Sequence, residues 1–290
     1  MSYKTSIYED VNYYFKCFNI FLAKAKCEGA DMWNRQWAGL LAQFQFNADE
    51  EIRMLTIGAG AGYRECLIIQ HLLKRHSSIH ITVVEPAQKP IDEFKIKAAK
   101  ITKEFPGVSF EWHIQTFENY QKDHRVSDDV RDGSFHLVFA GHSLYYMDDW
   151  QYALDGMYSH VQSGGILVVT VIRGQAGAGR LAKMYRKLEG CSLNLQTSDD
   201  VKHQLKKTNS EQMIDQNMYR EDAYDISDVF DESSVVGNLL LDFLIQRRDF
   251  RMSAPHGHLE KVLQFLRENS VQENGKYWFY SDEEDVVAKK

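Results

Sequence analysis

Strand-like and helix-like patterns of apolar residues alternate through the middle of the chain. Five short apolar runs have the length of buried strands, and amphipathic segments separate the first three of them. The runs cover 52–58, 80–86, 108–114, 135–141 and 166–172, and the intervening helical segments cover 67–75 and 91–105. Strands that alternate with helices in this order are typical of a parallel, doubly wound sheet, so the pattern predicts an α/β fold.

Helical spacing dominates on both sides of this region. Within 8–46, two amphipathic helices are predicted from Tyr14, Phe18, Phe21, Leu22, Trp33, Trp37, Leu40 and Leu41. Further helices are predicted near 149–161, 178–188, 237–246 and 257–269 and from residue 197, with strands around 212–224 and 276–280. We expect one domain over 1–290, made of a helical cap (1–47), a core (48–175) and a last part of helices and closing strands (176–290).

A glycine-rich turn joins the first strand-like run to the first helix of the core. Gly58, Gly60 and Gly62 alternate there with Ala59 and Ala61. Small residues let the backbone approach a ligand closely, and the N-terminus of the following helix offers N–H groups without a helical partner. The motif therefore indicates a ligand-binding turn, and the alternative is a plain tight turn between strand and helix.

An acidic residue ends the second strand-like run. Glu85, followed by Pro86, lies where nucleoside-binding sheets place a carboxylate that hydrogen-bonds the ribose hydroxyls. The dinucleotide motif would need glycine at position 63, where Tyr63 stands, so the turn disfavours NAD and favours S-adenosylmethionine. An NAD-type oxidoreductase and a catalytically silent nucleoside-binding protein are the alternatives.

Polar and aromatic residues follow the fourth strand-like run. His142, Tyr145 and Tyr146 come directly after it, at the carboxyl edge where open α/β sheets bind their ligands. The two tyrosines cannot both face the core, so we expect one of them to face the ligand pocket. His142 is either a substrate-facing residue or a structural one.

Composition and charge exclude several classes of protein. The formal net charge of −7 argues against a basic nucleic-acid-binding face, and no apolar run is long enough to span a membrane. The four cysteines, Cys17, Cys27, Cys66 and Cys191, form no CxxC pair, which argues against a zinc ribbon or a disulfide framework. We expect a soluble cytoplasmic monomer without a metal.

At these positions the chain resembles the histamine N-methyltransferase family over most of its length. The residues that carry the resemblance are Tyr8, Tyr14, Phe18 and Phe21-Leu22; 57–62; 83–86; Trp112-His113; 144–146; 197–200; 225–228; and 242–244. The resemblance implies a seven-stranded Rossmann-like methyltransferase sheet with S-adenosylmethionine as cofactor. It also implies a small aromatic or imidazole amine as the acceptor, either histamine-like or a larger histidine-derived compound such as carnosine.

The resemblance implies roles for individual residues. Cofactor binding falls to Gly58, Ala59, Gly60, Gly62, Glu85, Pro86, Phe117 and Gly141 within the core, while His142, Tyr145 and Tyr146 are the catalytic candidates. Substrate binding falls to Tyr14, Phe18, Glu28, Ala178, Ala182, Phe243 and Ser281, with 176–290 supplying substrate-site helices. Phe243 is either one of these or an ordinary core residue, and Cys27 is the alternative to Glu28.

Departures from the family lie at the substrate site. His142 replaces a glutamine, Ser281 lies near a family asparagine, and Ala178 and Ala182 lie about where the family has two tryptophans, which predicts a larger pocket. The acidic run 281–285 replaces an apolar final strand, so we expect that strand to be short. The charges at 283–285 and at Asp128-Asp129 are interpreted as solvated surface.

Overall fold

The computed structural model describes residues 6–27, 30–43, 46–47, 49–124, 133–189, 195–208, 213–214 and 218–290. The helices are α1 (Val11–Ala23), α2 (Ala30–Gln43), α3 (Tyr63–Leu72), α4 (Gln88–Glu104), α5 (Phe117–Asp123), α6 (Trp150–Ser159), α7 (Gly177–Glu189), α8 (Ser198–Thr208), α9 (Val235–Ile245), α10 (Phe250–Ser253) and α11 (His258–Glu268). Short 3-10 helices cover Ile7–Glu9, Leu144–Tyr146 and Ser227–Phe230.

The strands are β1 (Ala25–Cys27), β2 (Ile52–Ile57), β3 (Ile79–Val84), β4 (Val108–His113), β5 (Phe135–Gly141), β6 (Val161–Ile172), β7 (Met213–Ile214), β8 (Tyr219–Arg220), β9 (Asp222–Asp225), β10 (Ser270–Glu273), β11 (Lys276–Tyr280) and β12 (Glu283–Lys289). All five strand-like runs of the sequence form strands, and α3 and α4 connect the first three of these. The α/β fold class is confirmed.

The chain forms two compact units. We call Asp31–Val171, Asp200–Met218 and Asp285–Lys290 the sheet unit. We call Met1–Ala30, Ile172–Asp199 and Tyr219–Glu284 the aromatic unit. The boundary at Ala30 separates α1 from α2, so the two helices expected to share a cap belong to different units. The assignment of the whole chain to one domain stays a prediction.

The large sheet has the strand order β4-β3-β2-β5-β6-β12-β7, a path of seven strands, with β8 paired to β12 off that path. Strands β2 to β6 pair in parallel along it. The chain moves outward from β2 through β3 to β4 and then returns to the other side of β2 with β5. The carboxyl ends of β2 and β5 therefore meet at the point where the strand order reverses, which is where open α/β sheets bind ligands.

Helix α2 forms part of the core of the sheet unit. Trp37 is fully buried and meets the Phe139 ring of β5 edge-on, with centroids 5.6 Å apart. Trp33, Leu40 and Leu41 are buried in the same cluster, which also holds apolar residues of β2, β3 and α3. The helical periodicity of 30–43 was therefore predicted correctly, and its apolar face packs on the parallel sheet.

The aromatic unit contains an antiparallel sheet of order β1-β9-β11-β10, with α1 packed on α9. Helices α7, α9 and α11 agree with the predicted helices near 178–188, 237–246 and 257–269. The single strand expected around 212–224 is wrong in detail, because β7, β8 and the start of β9 divide that stretch. Strand β10 was not predicted.

The acidic final strand is the clearest correction. Glu283, Glu284 and Asp285 were expected to be solvated in a short strand, but β12 is seven residues long and all three side chains are buried. Asp285, only 3% exposed, accepts hydrogen bonds from Trp37 Nε1 at 2.8 Å and from Thr170 Oγ1 at 2.5 Å. Buried carboxylates are tolerated when donors satisfy their oxygens, as these do. Asp128-Asp129 lies outside the described residues.

Candidate functional site

The glycine turn after β2 has an unusual backbone. Gly58, Gly60 and Gly62 all have positive φ, at 67°, 53° and 72°. The Gly58 N–H donates to the Val84 carbonyl at 2.8 Å, and the Gly62 N–H donates to the Ala59 carbonyl at 2.9 Å. Glycine adopts this left-handed region without a steric penalty, so the sequence specifies the shape of the turn.

The turn is packed at both ends and open in the middle. A Cβ added to Gly58 would lie 2.4 Å from the Cβ of Ser143, and one added to Gly62 would lie 2.2 Å from the Phe94 ring. A Cβ added to Gly60 would meet no heavy atom within 4 Å. The outer glycines are therefore required by packing, while Gly60 leaves open space in which a ligand can approach the backbone.

The Glu85 carboxylate lies beside this turn. Its side chain follows β3, is 8% exposed, and accepts the N–H of Gly60 at 3.0 Å and that of Ala87 at 2.9 Å. Burial raises the pKa of Glu85, and the two backbone N–H groups partly oppose that rise. A carboxylate offers about four acceptor positions, so two hydrogen bonds leave capacity for the two hydroxyls of a ribose.

The residue directly after strand β5 has a strained backbone. His142 has φ of 54°, and its N–H donates to the Thr170 carbonyl at 2.8 Å. Its Nδ1 lies 3.2 Å from the Tyr145 hydroxyl. Left-handed backbone at a residue other than glycine costs about 1–3 kcal/mol and is concentrated at functional sites. Tyr145 is buried and Tyr146 is 49% exposed, as expected for a pair that cannot share one environment.

The other residues expected at the cofactor lie in varied surroundings. Ala59 and Gly141 are half-buried, and Pro86 is exposed beside Glu85. Phe117 begins α5 and is buried, with its ring centroid 6.3 Å from Tyr120 and 6.1 Å from His160. A cofactor contact at Phe117 stays a prediction.

Three of the expected substrate residues lie together in the aromatic unit. Tyr14 and Phe18 of α1 stack with centroids 5.7 Å apart, and Phe243 of α9 lies 6.2 and 5.8 Å from them. All three are half-buried. Phe21 lies 4.5 Å from Phe243 and stacks on Tyr224 at 3.8 Å. We call these five residues the aromatic cluster; Tyr224 was missed because no local pattern links β9 to α1.

The remaining expected substrate residues do not join the aromatic cluster in any described ring contact. Ala178 and Ala182 are buried in α7, with Ala182 only 1% exposed, so this packing gives no support to the larger pocket they were expected to create. Ser281 is buried, and its N–H donates to the Asp222 carbonyl at 2.9 Å. Glu28 lies outside the described residues, and Cys27 ends β1.

Three residues beside the glycine turn were not singled out as ligand-binding from the sequence. Ser143 contacts Gly58 and is buried. The Arg64 guanidinium lies over the Trp33 ring, 5.8 Å from its centroid. The one available signal was the position of Arg64 in the first turn of α3, directly after the glycines, because Trp33 and Ser143 are brought there by tertiary packing.

S-adenosylmethionine, the cofactor expected from the turn and from the resemblance, fits these residues. A buried carboxylate with spare acceptor capacity suits the ribose diol, and the open side of Gly60 gives the ligand access to the backbone. Within the described ranges, no cluster of three or more His, Cys, Asp or Glu side chains is arranged to hold a metal ion. The described helices include none with both the length and the apolarity of a membrane span.

Comparisons with known proteins agree with this geometry. Residues 31–213, more than half of the chain, match a family model described as a methyltransferase domain. Histamine N-methyltransferase of Cavia porcellus is 26% identical over 287 residues, covering 94% of each chain, and that of Rattus norvegicus is 26% identical over 99% of this chain and 98% of its own. A solved structure from Bacillus halodurans shares the fold, with a TM-score of 0.53 at 13% identity over 88% of this chain and 98% of that one.

Proposed function

Because this chain belongs to the methyltransferase domain family and is an S-adenosylmethionine-dependent methyltransferase, we propose that it methylates a nitrogen of a small aromatic or imidazole amine. Similarity to the histamine N-methyltransferases along nearly the whole chain supports this acceptor class. Histamine-like amines and larger histidine-derived compounds such as carnosine both belong to it. The aromatic cluster is the single observation that carries the proposal.

The aromatic cluster has the chemistry to recognise an amine. Tyr14, Phe18 and Phe243 present half-buried rings within 6.2 Å of one another. The negative face of an aromatic ring attracts a cation, with about 0.5–2 kcal/mol per contact, and flat apolar rings also stack on an imidazole or aryl group. We assign acceptor recognition to these rings. The proposal also keeps for Glu28, Ser281, Ala178 and Ala182 the acceptor-binding roles that the family resemblance implies.

Toward the cofactor, the main role of this chain is to bind and orient S-adenosylmethionine. The bound cofactor supplies an electrophilic methyl group on a sulfonium centre. Glu85 would accept hydrogen bonds from the ribose, and its own bond to the Gly60 N–H ties the glycine turn to the end of β3. Gly58 and Gly62 pack the turn against Ser143 and Phe94, which favours a turn that is shaped before the cofactor binds.

The acceptor nitrogen must be neutral when it reacts, because its lone pair forms the new N–C bond, and the methylated nitrogen loses a proton. We assign the holding of that proton to His142, whose strained backbone and hydrogen bond to the Tyr145 hydroxyl fix the imidazole orientation. Tyr145 is a positioning residue in this scheme. The exposed Tyr146 takes part in acceptor contact.

The test is a transfer assay with labelled S-adenosylmethionine and matched acceptors: histamine, carnosine, an arylalkylamine, and an alcohol, thiol and carboxylate of similar size. We expect label on the amines, with mass spectrometry placing the methyl on nitrogen. Phe18→Leu should raise KM for the best amine several-fold at unchanged cofactor affinity, with Phe105→Leu as the control at a ring outside the aromatic cluster.

Transfer to the oxygen or sulfur acceptors in preference to every amine would overturn the acceptor class. Tight cofactor binding with no turnover of any acceptor would instead indicate a catalytically silent binding protein. The two outcomes are distinguished by measuring cofactor affinity by calorimetry on the same preparation.

A further inference from the structure

The side chain of Arg64 extends from α3 toward the carboxyl edge of the sheet. It leaves the first turn of α3, yet its Cδ lies 3.5 Å from the position that a Cβ on Gly141, the last residue of β5, would take. Its guanidinium lies over the ring of Trp33 from α2. A positive charge is thereby placed beside the junction of β5 and the glycine turn, the ligand-binding edge of the sheet.

Two buried donors lie in the same place. Among the residues that the structure describes, neither Trp33 Nε1 nor Ser143 Oγ has a hydrogen-bond partner, although these residues are only 4% and 5% exposed. A buried polar group left unsatisfied costs about 1–3 kcal/mol, so native structures keep such groups for a ligand or a water. Ser143 lies against Gly58, which ties this hydroxyl to the turn itself.

The glycine turn therefore has different chemistry on its two sides. On one side stands an acceptor, the Glu85 carboxylate, hydrogen-bonded to Gly60. On the other stand the Arg64 guanidinium and the Trp33 N–H, which can only donate, and the Ser143 hydroxyl, which can also donate. S-adenosylmethionine has matching ends: a ribose diol that donates, and an amino-acid tail whose carboxylate only accepts.

We propose that Arg64, with Trp33 and Ser143, binds the carboxylate of the cofactor's amino-acid tail. A guanidinium pairs with a carboxylate through charge-assisted hydrogen bonds, which are roughly twice as strong as neutral ones. The cation–π contact with the Trp33 ring keeps the guanidinium beside the turn before the ligand arrives. This assignment rests on the cofactor and is independent of the acceptor.

A purely structural role for Arg64 is the competing explanation, and ligands that differ in one group separate the two. Calorimetry would use S-adenosylhomocysteine, its decarboxylated analogue and methylthioadenosine, which lacks the whole amino-acid tail. The variants are Arg64→Met, Arg64→Lys and Trp33→Phe. Arg75→Met is the matched control, since Arg75 lies beyond the other end of α3 and donates to the Leu41 carbonyl.

We expect Arg64→Met to weaken the binding of S-adenosylhomocysteine at least about tenfold. The affinities for the decarboxylated analogue and for methylthioadenosine should be unchanged or higher. Arg64→Lys should recover part of the loss, because the charge returns without the planar fork. Trp33→Phe, which removes the N–H together with the five-membered part of the indole, should show a smaller loss with the same ligand selectivity. Arg75→Met should change none of the affinities.

If Arg64→Met lowers the affinity for all three ligands equally, Arg64 only supports the fold of the turn. If it lowers none of the affinities, the carboxylate binds elsewhere. Either result overturns the proposal. Thermal melting of each variant without ligand accompanies the titrations, and a variant that melts early is replaced by Arg64→Gln. None of these outcomes depends on which acceptor is methylated.

Discussion

The glycine turn and the aromatic cluster are assembled in opposite ways. In the turn, Gly58, Gly60 and Gly62 are sequence neighbours, and their positive φ values define the shape. In the aromatic cluster, the shape comes from side chains of α1 and α9 that meet only after the chain has folded. A backbone-built site can be recognised in a short stretch of sequence, whereas a side-chain-built site depends on contacts that no short motif encodes.

The strongest way to break the turn is Gly62→Ala. The left-handed backbone costs about 1–2 kcal/mol for alanine, and the clash with Phe94 at 2.2 Å adds about 1–3 kcal/mol of overpacking. We expect a loss of roughly 2–5 kcal/mol in the free energy of unfolding, measured by urea denaturation. Gly60→Ala, where the added Cβ has no neighbour within 4 Å, should lose only the stability that the left-handed backbone costs an alanine. It should also weaken cofactor binding. Equal stability losses would contradict the packing described for Gly62.

The buried Glu65 under the turn should make stability depend on pH. Burial raises its pKa to about 7, and Thr56 Oγ1 donates to it at 2.9 Å. Because the folded pKa lies above the unfolded one, its stabilising contribution is complete below about pH 4.5 and is lost as pH rises through about 7. Glu65→Gln should therefore stabilise the protein at pH 8 by up to roughly 3 kcal/mol and have little effect at pH 4.5. A pH-independent difference in unfolding free energy would show that Glu65 is not the titrating group.

Glu85→Ala tests the ligand side of the turn. Loss of hydrogen bonds to a charged group costs about 1.5–3 kcal/mol, so affinity for S-adenosylhomocysteine should fall about tenfold or more. Glu111→Ala, an exposed carboxylate on β4, is the control and should leave that affinity unchanged. If calorimetry gives the same affinity for Glu85→Ala and wild type, the ribose is bound by other groups.

The smallest expected effect belongs to the aromatic cluster. Tyr14→Phe keeps the ring and its stacking on Phe18, whereas Tyr14→Leu removes the π face. We expect Tyr14→Leu to raise KM for the amine by a factor that corresponds to about 0.5–2 kcal/mol of lost binding free energy, and Tyr14→Phe to raise it less. Cofactor affinity should stay the same in both. A matching loss in the two variants would assign the effect to the hydroxyl instead of the ring.

The sequence predicted the sheet unit well because its information is local. Strand-like runs and the glycine turn are contiguous, and the buried parallel strands β2, β3 and β5 consist mostly of apolar residues. The position of α2 could not be read in the same way. Its periodicity shows an apolar face but does not show that this face packs on the sheet together with Phe139.

The acidic strand β12 shows why the prediction failed for other parts of the chain. A run of carboxylates normally indicates solvated surface, and the three apolar residues that follow it, Val286-Val287-Ala288, are too few to indicate a buried strand by themselves. Its partners, Trp37 and Thr170, come from α2 and β6 and are brought to it by the sheet order. The same limit applies to Arg64, whose surroundings include Trp33 and Gly141 from separate elements.

The place of β12 in the sheet has a consequence for biosynthesis. One edge of β6 pairs with β12, so on the ribosome that edge has no partner until residues 283–289 have been made. An unpaired apolar edge can recruit strands from neighbouring nascent chains. Because the completing strand begins Glu283-Glu284-Asp285, mutual repulsion keeps it from joining copies of itself while it waits to insert. We therefore expect the carboxylates that are buried in the finished sheet to limit aggregation of chains in which β12 has not yet paired.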